Sequence, residues 1–221
     1  MNADLRHRIK CGPQVTMISL RYPSSALAAF VATLGFDLTF IDLEHGRMNV
    51  ETADAIVSLV RARGGASIIR CASSSDDSIR VAIDLDSNGV VVPNVDSVSE
   101  INRICLTCSL RSSVGPLLIP MIESQQAISD LDAIMSAPGV DALFLGPADL
   151  AQALGYRGEP QNPVVRSAAD GVVSRAMDAG VPIGVPLLYR DLPSFKRKPP
   201  SFIYYDVNAL LKSGAVAALA G

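Results

Sequence analysis

The chain lacks several features that would assign it to whole classes of protein. Among its 221 residues, 19 Lys and Arg stand against 22 Asp and Glu, which leaves a formal net charge of −3. A nucleic-acid-binding domain usually carries a basic excess, so we expect no nucleic-acid partner. No apolar run approaches the roughly 18 residues of a membrane span, and the first twelve residues are too polar for a signal peptide. We therefore expect a soluble, cytoplasmic protein that does not act at a membrane.

Cysteine and histidine are scarce as well. The chain has 4 Cys and 2 His. Cys105 and Cys108 have the C-x-x-C spacing, but a zinc or redox site would need a second such pair or nearby histidines. The segment around them also has the apolar pattern of a helix. We interpret them as two thiols carried on a helix.

Eight short apolar runs, rich in β-branched residues, recur along the chain with helical stretches between them. The runs are residues 15–20, 38–43, 66–70, 89–93, 117–122, 142–146, 181–185 and 202–205. Most are continuous rather than alternating, which is typical of parallel strands covered on both faces. The predicted helices are residues 23–33, 50–63, 75–86, 97–109, 124–136, 163–179 and 207–219.

Eight such units in a chain of this length predict an α/β fold, a (β/α)8 TIM barrel formed as one domain over residues 1–221. A doubly wound sheet is the main rival, but it usually has a Gly-rich phosphate loop after its first strand. Here the first predicted strand is followed by the sequence RYPSS, and neither G-x-G-x-x-G nor G-x-x-x-x-G-K-[ST] occurs. The missing phosphate loop favours the barrel.

In a TIM barrel the active site lies at the carboxyl ends of the strands, and polar residues cluster there in this sequence. The candidates at or near these positions are Asp42, Glu44, His45, Arg70, Asp84, Glu123 and residues 146–149. From spacing alone, Glu123 and Asp149 either share one divalent cation or stabilise the first turns of helices. Oxygen ligands with open positions suit Mg²⁺, Mn²⁺ or Co²⁺.

The other candidates suggest how such a site handles charge. His45 is either a general base or a surface residue. Arg70 ends a buried strand and needs an anionic partner, which is either an internal carboxylate or a substrate carboxylate. No lysine occupies these positions, which speaks against a Schiff base and for a metal as electron sink. This combination suits the binding of a 2-oxo acid and stabilisation of its enolate.

Several motifs also follow one another in the order of a known family. They are FDLTFIDLEHG at residues 36–46, Ile69-Arg70, Asp84 with GVVVP at 89–93, Ile122-Glu123-Ser124, GPADL at 146–150 and GYRGEPQNP at 155–163. Together they resemble the HpcH/HpaI aldolase family. These are class II, metal-dependent pyruvate aldolases, with relatives of 2-keto-3-deoxyrhamnonate aldolase and macrophomate synthase among them. The resemblance runs from about residue 35 to residue 163.

The resemblance implies roles for the charged candidates. Glu123 and Asp149 match the ligands of a divalent metal. Arg70 matches the arginine that contacts the pyruvyl oxygen and steadies the enolate. His45 matches the base, and Asp84 matches the acid paired with it, across a subunit boundary. Because family members are typically hexamers with sites at interfaces, we expect a homo-oligomer.

The resemblance also implies a substrate-binding turn. Gly146, Pro147, Ala148 and Asp149 match the segment that receives the pyruvate carboxylate, with the backbone of the last two as donors. Asp42 and Glu44 are expected to support the groups that touch the substrate without touching it themselves.

The sequence departs from the family in three places, all near the pocket. The connection between the fourth and fifth strands is short and lacks a lid-like loop. Met121 stands where the family often has glutamine. No tryptophan occurs in the chain, so Met17 or a neighbour occupies the place of the usual one on the first strand. None of these changes removes a proposed ligand or the base, so we expect metal–enolate chemistry on an altered substrate.

The function that the resemblance favours is that of a carbon–carbon lyase, with a 2-oxo acid and an aldehyde as small-molecule partners. One alternative is decarboxylation of oxaloacetate, or use of its enolate to form another C–C bond, as macrophomate synthase-like enzymes do. A further alternative is a non-catalytic barrel that binds a 2-oxo acid or a partner protein.

Overall fold

A computed structural model describes residues 2–109 and 115–220. In it, eight parallel strands close into one barrel in the order β1 to β8. The strands are β1 Val15–Leu20, β2 Leu38–Asp42, β3 Ala66–Arg70, β4 Gly89–Val92, β5 Leu117–Ile122, β6 Leu143–Leu145, β7 Ile183–Pro186 and β8 Phe202–Asp206. The predicted (β/α)8 barrel is confirmed, and the predicted bounds of β1, β3 and β5 agree with the observed ones.

Helices alternate with the strands and cover the outside of the barrel. They are α1 Asn2–Cys11, α2 Ser25–Val31, α3 Val50–Ala62, α4 Asp76–Asp84, α5 Val98–Ser109, α6 Gln125–Ser129, α7 Leu131–Ser136, α8 Pro147–Ala153, α9 Pro163–Asp178 and α10 Val207–Ala220. The prediction of one helix over 124–136 is wrong. The chain divides into α6 and α7 at Asp130, whose φ of −90° and ψ of 9° leave helical geometry.

The connection between β4 and β5 contains α5, which carries Cys105 and Cys108 as free thiols. Their interpretation as helix-borne thiols is therefore confirmed. Residues 110–114 of the predicted short connection lie outside the described residues.

The core has two layers, one inside the barrel and one between the strands and their helices. The inner layer includes Met17, Phe40 and Phe144. Helix α1, which was not predicted, contributes Leu5 and Ile9 to the same layer. These two are one helical turn apart and therefore share a face. A mostly polar helix with few apolar residues has a weak sequence pattern, which explains why it was missed.

Helix α10 packs little against the rest of the chain. Val207 is buried, but Leu211, Val216 and Leu219 are 60%, 69% and 89% exposed. Neither this helix nor any other in the described ranges is long and apolar enough to cross a membrane.

Candidate active site

A cavity of about 240 Å³ opens at the carboxyl ends of the strands, the end where the barrel topology predicts the site. Its lining includes His45, Arg70 and residues 145–149, together with Arg21, Phe40, Met121, Phe144, Pro186 and Tyr204. The structure thus brings most of the predicted residues to one cavity. Asp42, Glu44 and Glu123 stand next to lining residues, as the contacts below show.

Arg70 is held by two internal carboxylates. Its Nε donates to Asp42 Oδ1 at 2.9 Å and its Nη2 to Oδ2 at 2.5 Å. The two residues are register partners on neighbouring strands, so the sheet itself sets this fork. Nη1 lies 2.9 Å from Glu44 Oε2. The arginine side chain is only 8% exposed, and buried charge of this kind needs such partners.

This pairing also determines the charge of the acids. Burial acts to raise the pKa of Asp42. The hydrogen bonds and charge of Arg70, with two backbone N–H donors, nevertheless hold that pKa below its ordinary value. Burial raises the pKa of Glu44, and the negative charges of Asp149 and Asp42 raise it further. The charges of Arg70 and His45 act to lower this pKa but do not cancel the increase. The partner of Arg70, which the sequence left open, is therefore an internal pair of acids.

Glu123 is buried in an environment that disfavours its charge. It is 3% exposed. Its Oε1 accepts the backbone N–H of Asn94 at 2.7 Å, while Oε2 is buried with no hydrogen-bond partner among the described residues. Burial raises the pKa of this carboxyl to about 7, and the charges of Asp149 and Glu44 contribute. A buried carboxylate with an unpaired oxygen is a site that a cation would complete.

Two backbone features build the pocket around this carboxylate. Asn94 has a φ of 54°, in the left-handed region that asparagine tolerates better than most residues. Its Nδ2 also donates to Glu44 Oε1 at 3.3 Å, so it joins the two acids. A Cβ at Gly146 would lie 2.3 Å from Glu123 Oε2, so only glycine leaves room for this side chain.

His45 and Asp149 face each other at the entrance. His45 Nε2 lies 3.9 Å from Asp149 Oδ2 and 3.8 Å from Glu44 Oε2. Asp149 is in the first turn of α8, where Pro147 and the small Ala148 begin the helix. In residues 2–109 and 115–220, no group of three or more His, Cys, Asp or Glu is placed to hold a metal ion. Glu123 and Asp149 stay the two candidate metal ligands that the sequence predicted.

The structure does not bring Asp84 to His45 within one chain. Asp84 is the last residue of α4, which begins after the carboxyl end of β3 and runs back along the barrel. It therefore lies towards the opposite end of the barrel from His45. Their pairing across a subunit boundary stays a prediction.

The lower wall of the cavity is aromatic, which the sequence did not reveal. Tyr204 packs at 5.2 Å from Phe40 and 5.7 Å from Phe144, as measured between ring centroids. Met121 completes this wall. Met17, considered above as a replacement for the missing tryptophan, is fully buried in the inner layer instead.

Arg21 is a further residue of the cavity that the sequence analysis missed. It directly follows β1 and lines the cavity. Its Nε lies 3.0 Å from Asp206 Oδ2, at the end of the neighbouring strand β8. The rule that selected Arg70, a charged residue at a strand end, applies equally to this position and would have found it.

Comparison with known proteins places these residues in a family context. The sequence matches the HpcH/HpaI aldolase/citrate lyase family over residues 16–192. It is 26% identical to a 2-dehydro-3,6-dideoxy-6-sulfogluconate aldolase of Pseudomonas putida, over 73% of each chain. It is also 26% identical to a 4-hydroxy-2-oxo-heptane-1,7-dioate aldolase of Shigella flexneri, over 100% of this chain and 92% of that one.

The fold has a similar match among solved structures. A family member from Burkholderia cenocepacia J2315 superposes with a TM-score of 0.86 at 21% identity, covering 99% of this chain and 98% of the other. The region matched to the family contains every residue predicted above to act in the site.

Proposed function

The chain belongs to the HpcH/HpaI aldolase/citrate lyase family, and from this we propose that it is a divalent-metal-dependent carbon–carbon lyase acting on a 2-oxo acid and an aldehyde. The relatives described above are aldolases. The observation that carries the proposal is the buried Glu123 carboxylate, whose Oε2 has no hydrogen-bond partner among the described residues. It stands beside a cavity that also holds Arg70 and His45.

Glu123 and Asp149 would hold the cation, which we propose to be Mg²⁺, Mn²⁺ or Co²⁺. Carboxylate oxygens are the ligands that these ions prefer. Burial is the main cause of the raised pKa of Glu123, and the negative charges of Asp149 and Glu44 raise it further. A bound cation would offset both effects. When bound, such a cation supplies a Lewis acid that stabilises negative charge on the oxygens of the 2-oxo acid.

In the cleavage direction, a base removes the proton of the 4-hydroxyl group of a 4-hydroxy-2-oxo acid. The C3–C4 bond breaks, its electron pair passes into the enolate of pyruvate, and the aldehyde leaves. The enolate then takes a proton at C3 to give pyruvate. His45 is the proposed base, because its imidazole is half exposed at the entrance and is the histidine that lines the cavity.

Arg70 is proposed to hold the enolate oxygen. Asp42 and Glu44 fix its guanidinium before substrate arrives, so little reorganisation is needed as charge develops. The substrate carboxylate is proposed to lie at residues 146–149, against the backbone N–H groups of Ala148 and Asp149. A Gly-Pro-Ala segment permits this close approach because its side chains are small.

Deuterium exchange tests the enolate without knowledge of the aldehyde. The protein is incubated with pyruvate in D₂O and Mg²⁺, Mn²⁺ or Co²⁺, and the mass of pyruvate is followed. We expect exchange of the C3 hydrogens that chelation of the metal abolishes. Glu123→Gln should reduce the exchange rate by about 100-fold or more, the scale of losing an essential transition-state contact.

The control is Glu51→Gln, a change of the same kind at an exposed helix position. It should leave the exchange rate within about twofold of the wild type, as for a surface substitution. Absence of exchange with all three metals, in protein shown to be folded, would contradict the proposal and favour a binding barrel. Release of CO₂ from oxaloacetate without aldol cleavage would favour the decarboxylase alternative.

We also propose that the protein forms a homo-oligomer, a hexamer if the resemblance extends to assembly. One observation supports self-association, namely that helix α10 exposes Leu211, Val216 and Leu219. Light scattering after size-exclusion chromatography tests the proposal, and a monomer at working concentration would contradict it. Replacing the three apolar residues of α10 by lysine should lower the association state if this helix contributes to the contact.

A further inference from the structure

Two arginines line the cavity, and their charges are balanced differently. Arg70 has two carboxylate partners, whereas Arg21 has one, Asp206. Asp206 lies 3.0 Å from the Nε of Arg21, and the phenol of Tyr204 also shares a hydrogen bond with the Arg21 side chain. A guanidinium has five N–H donors. Arg21 therefore retains donors that a ligand could use.

The surroundings hold Arg21 in place. Asp206 Oδ1 accepts the backbone N–H groups of Asn208 and Ala209, at 2.8 and 3.2 Å, which orients its carboxylate at the start of α10. The phenol of Tyr204 lies beside the guanidinium, and its ring packs edge-on against Phe40. Arg21 is thus positioned by groups on β8 and β2 rather than by a loose loop.

Arg21 is also the more accessible of the two cations. Its side chain is 39% exposed, against 8% for Arg70. Since Arg21 lines the cavity, a ligand that fills the cavity reaches it.

The position of Arg21 in the barrel relates it to one part of the substrate. Arg21 follows β1, whereas Glu123 follows β5, and these strands are on opposite sides of an eight-stranded barrel. Arg21 therefore lies across the cavity from the proposed place of the 2-oxo acid end, where the other end of a substrate that spans the cavity could reach it.

We propose that Arg21 binds a second oxyanion at the end of the substrate remote from the 2-oxo acid, and so selects aldehydes that carry a carboxylate or a similar oxyanion. This inference rests on the proposed function and names its substrate class. With the ligand oxyanion bound, Arg21 would have two anionic partners, as Arg70 already has. The planar guanidinium fork matches the two oxygens of such a group.

Matched acceptors test this inference. The value of kcat/KM is measured for condensation of pyruvate with 4-oxobutanoate and with its methyl ester, and with glyoxylate and its methyl ester. Within each pair the acceptors differ in charge but share the aldehyde. We expect the wild type to prefer the acid in at least one pair. Arg21→Met should lower that acid-to-ester ratio by about 10- to 100-fold, the scale of one hydrogen-bonded charge contact.

Two further variants separate geometry from charge. Arg21→Lys keeps the charge without the fork, so it should recover part of the ratio. Arg47 is the matched control, because it is exposed and its backbone N–H donates to the Arg21 carbonyl. It does not line the cavity. Arg47→Met should leave the ratio within about twofold, since exposed charges are largely screened.

The outcomes distinguish this inference from the proposed function. No acid preference in the wild type, or a preference that survives Arg21→Met, would overturn the inference. An equal loss for acid and ester would also overturn it, because Arg21 would then act on the shared 2-oxo acid or on folding. Failure of the proposed function gives a different result, namely no deuterium exchange into pyruvate by the wild type.

Discussion

The carboxyl group of Glu123 should make the metal-free protein less stable as the pH rises. Burial, against one hydrogen bond from Asn94, raises its pKa from about 4.5 to about 7. The folded protein then holds this proton more tightly than the unfolded chain. The resulting stabilisation is complete below pH 4.5 and is lost as the pH rises through 7. Its size is about 3 kcal/mol of unfolding free energy, and little is screened because the residue is 3% exposed.

Glu123→Gln removes this titration and keeps the volume of the side chain. We expect the unfolding free energy of the wild type, minus that of the variant, to fall by about 2–3 kcal/mol between about pH 5 and about pH 8. Urea denaturation in the presence of EDTA, followed by circular dichroism, measures this difference. All samples share one protein concentration, because the stability of an oligomer depends on it. Glu51→Gln is the control, and its difference from the wild type should not change with pH.

Added metal should reverse the trend. A cation favours the ionised carboxylate, so Mg²⁺ or Mn²⁺ should stabilise the wild type more at about pH 8 than at about pH 5. Glu123→Gln should gain little at either pH. A difference between wild type and variant that stays constant over this range would refute the reasoning, and so would equal stabilisation of both proteins by metal.

Three further outcomes are expected. Arg70→Ala should lower kcat about 100-fold, as for loss of an oxyanion donor. It should also lower the free energy of unfolding by about 3 kcal/mol, because a buried acid loses its counter-charge. Arg70→Lys should recover part of the lost kcat and part of the lost stability. Steady-state kinetics and urea denaturation measure the two effects. Gly146→Ala places a Cβ 2.3 Å from Glu123 Oε2, so metal affinity by calorimetry should fall about 10- to 100-fold; wild-type affinity would contradict the packing argument. Mixing inactive His45→Ala with inactive Asp84→Ala subunits should restore part of the activity. If demonstrably mixed oligomers stay inactive, the predicted pairing of His45 with Asp84 across subunits is wrong.

The barrel could be read from the sequence because its signals are local. The strands β1, β3 and β5 are mostly apolar runs without strict alternation, and a parallel strand covered on both faces produces that pattern wherever it occurs. Helix α1 could not be found in this way, since it is mostly polar and carries Leu5 and Ile9 into the inner layer at one helical turn's spacing. The break between α6 and α7 could not be predicted from the residue types around Asp130 either, because it depends on the backbone angles of that one residue.

The same distinction between local and tertiary features applies to the candidate site. A charged residue after an apolar run marks a strand end, so Arg70, Glu123 and residues 146–149 could be selected from the order of residues alone. Their partners could not. Asp42 pairs with Arg70 because of the register between β2 and β3. This register cannot be predicted from either strand's sequence alone.

The sequence by itself thus determined that Arg70, Glu123 and residues 146–149 stand at strand ends near the mouth of the barrel, because strand ends are local features. Only the tertiary structure decided which of them face one another. The contact of Arg21 with Asp206 joins opposite ends of the chain and exists because β8 closes against β1. The unpaired oxygen of Glu123 likewise depends on how β5 and β6 bring Gly146 against it. The first of these contacts is set by closure of the sheet, which is a property of all eight strands together, and the second by the pairing of two adjacent strands.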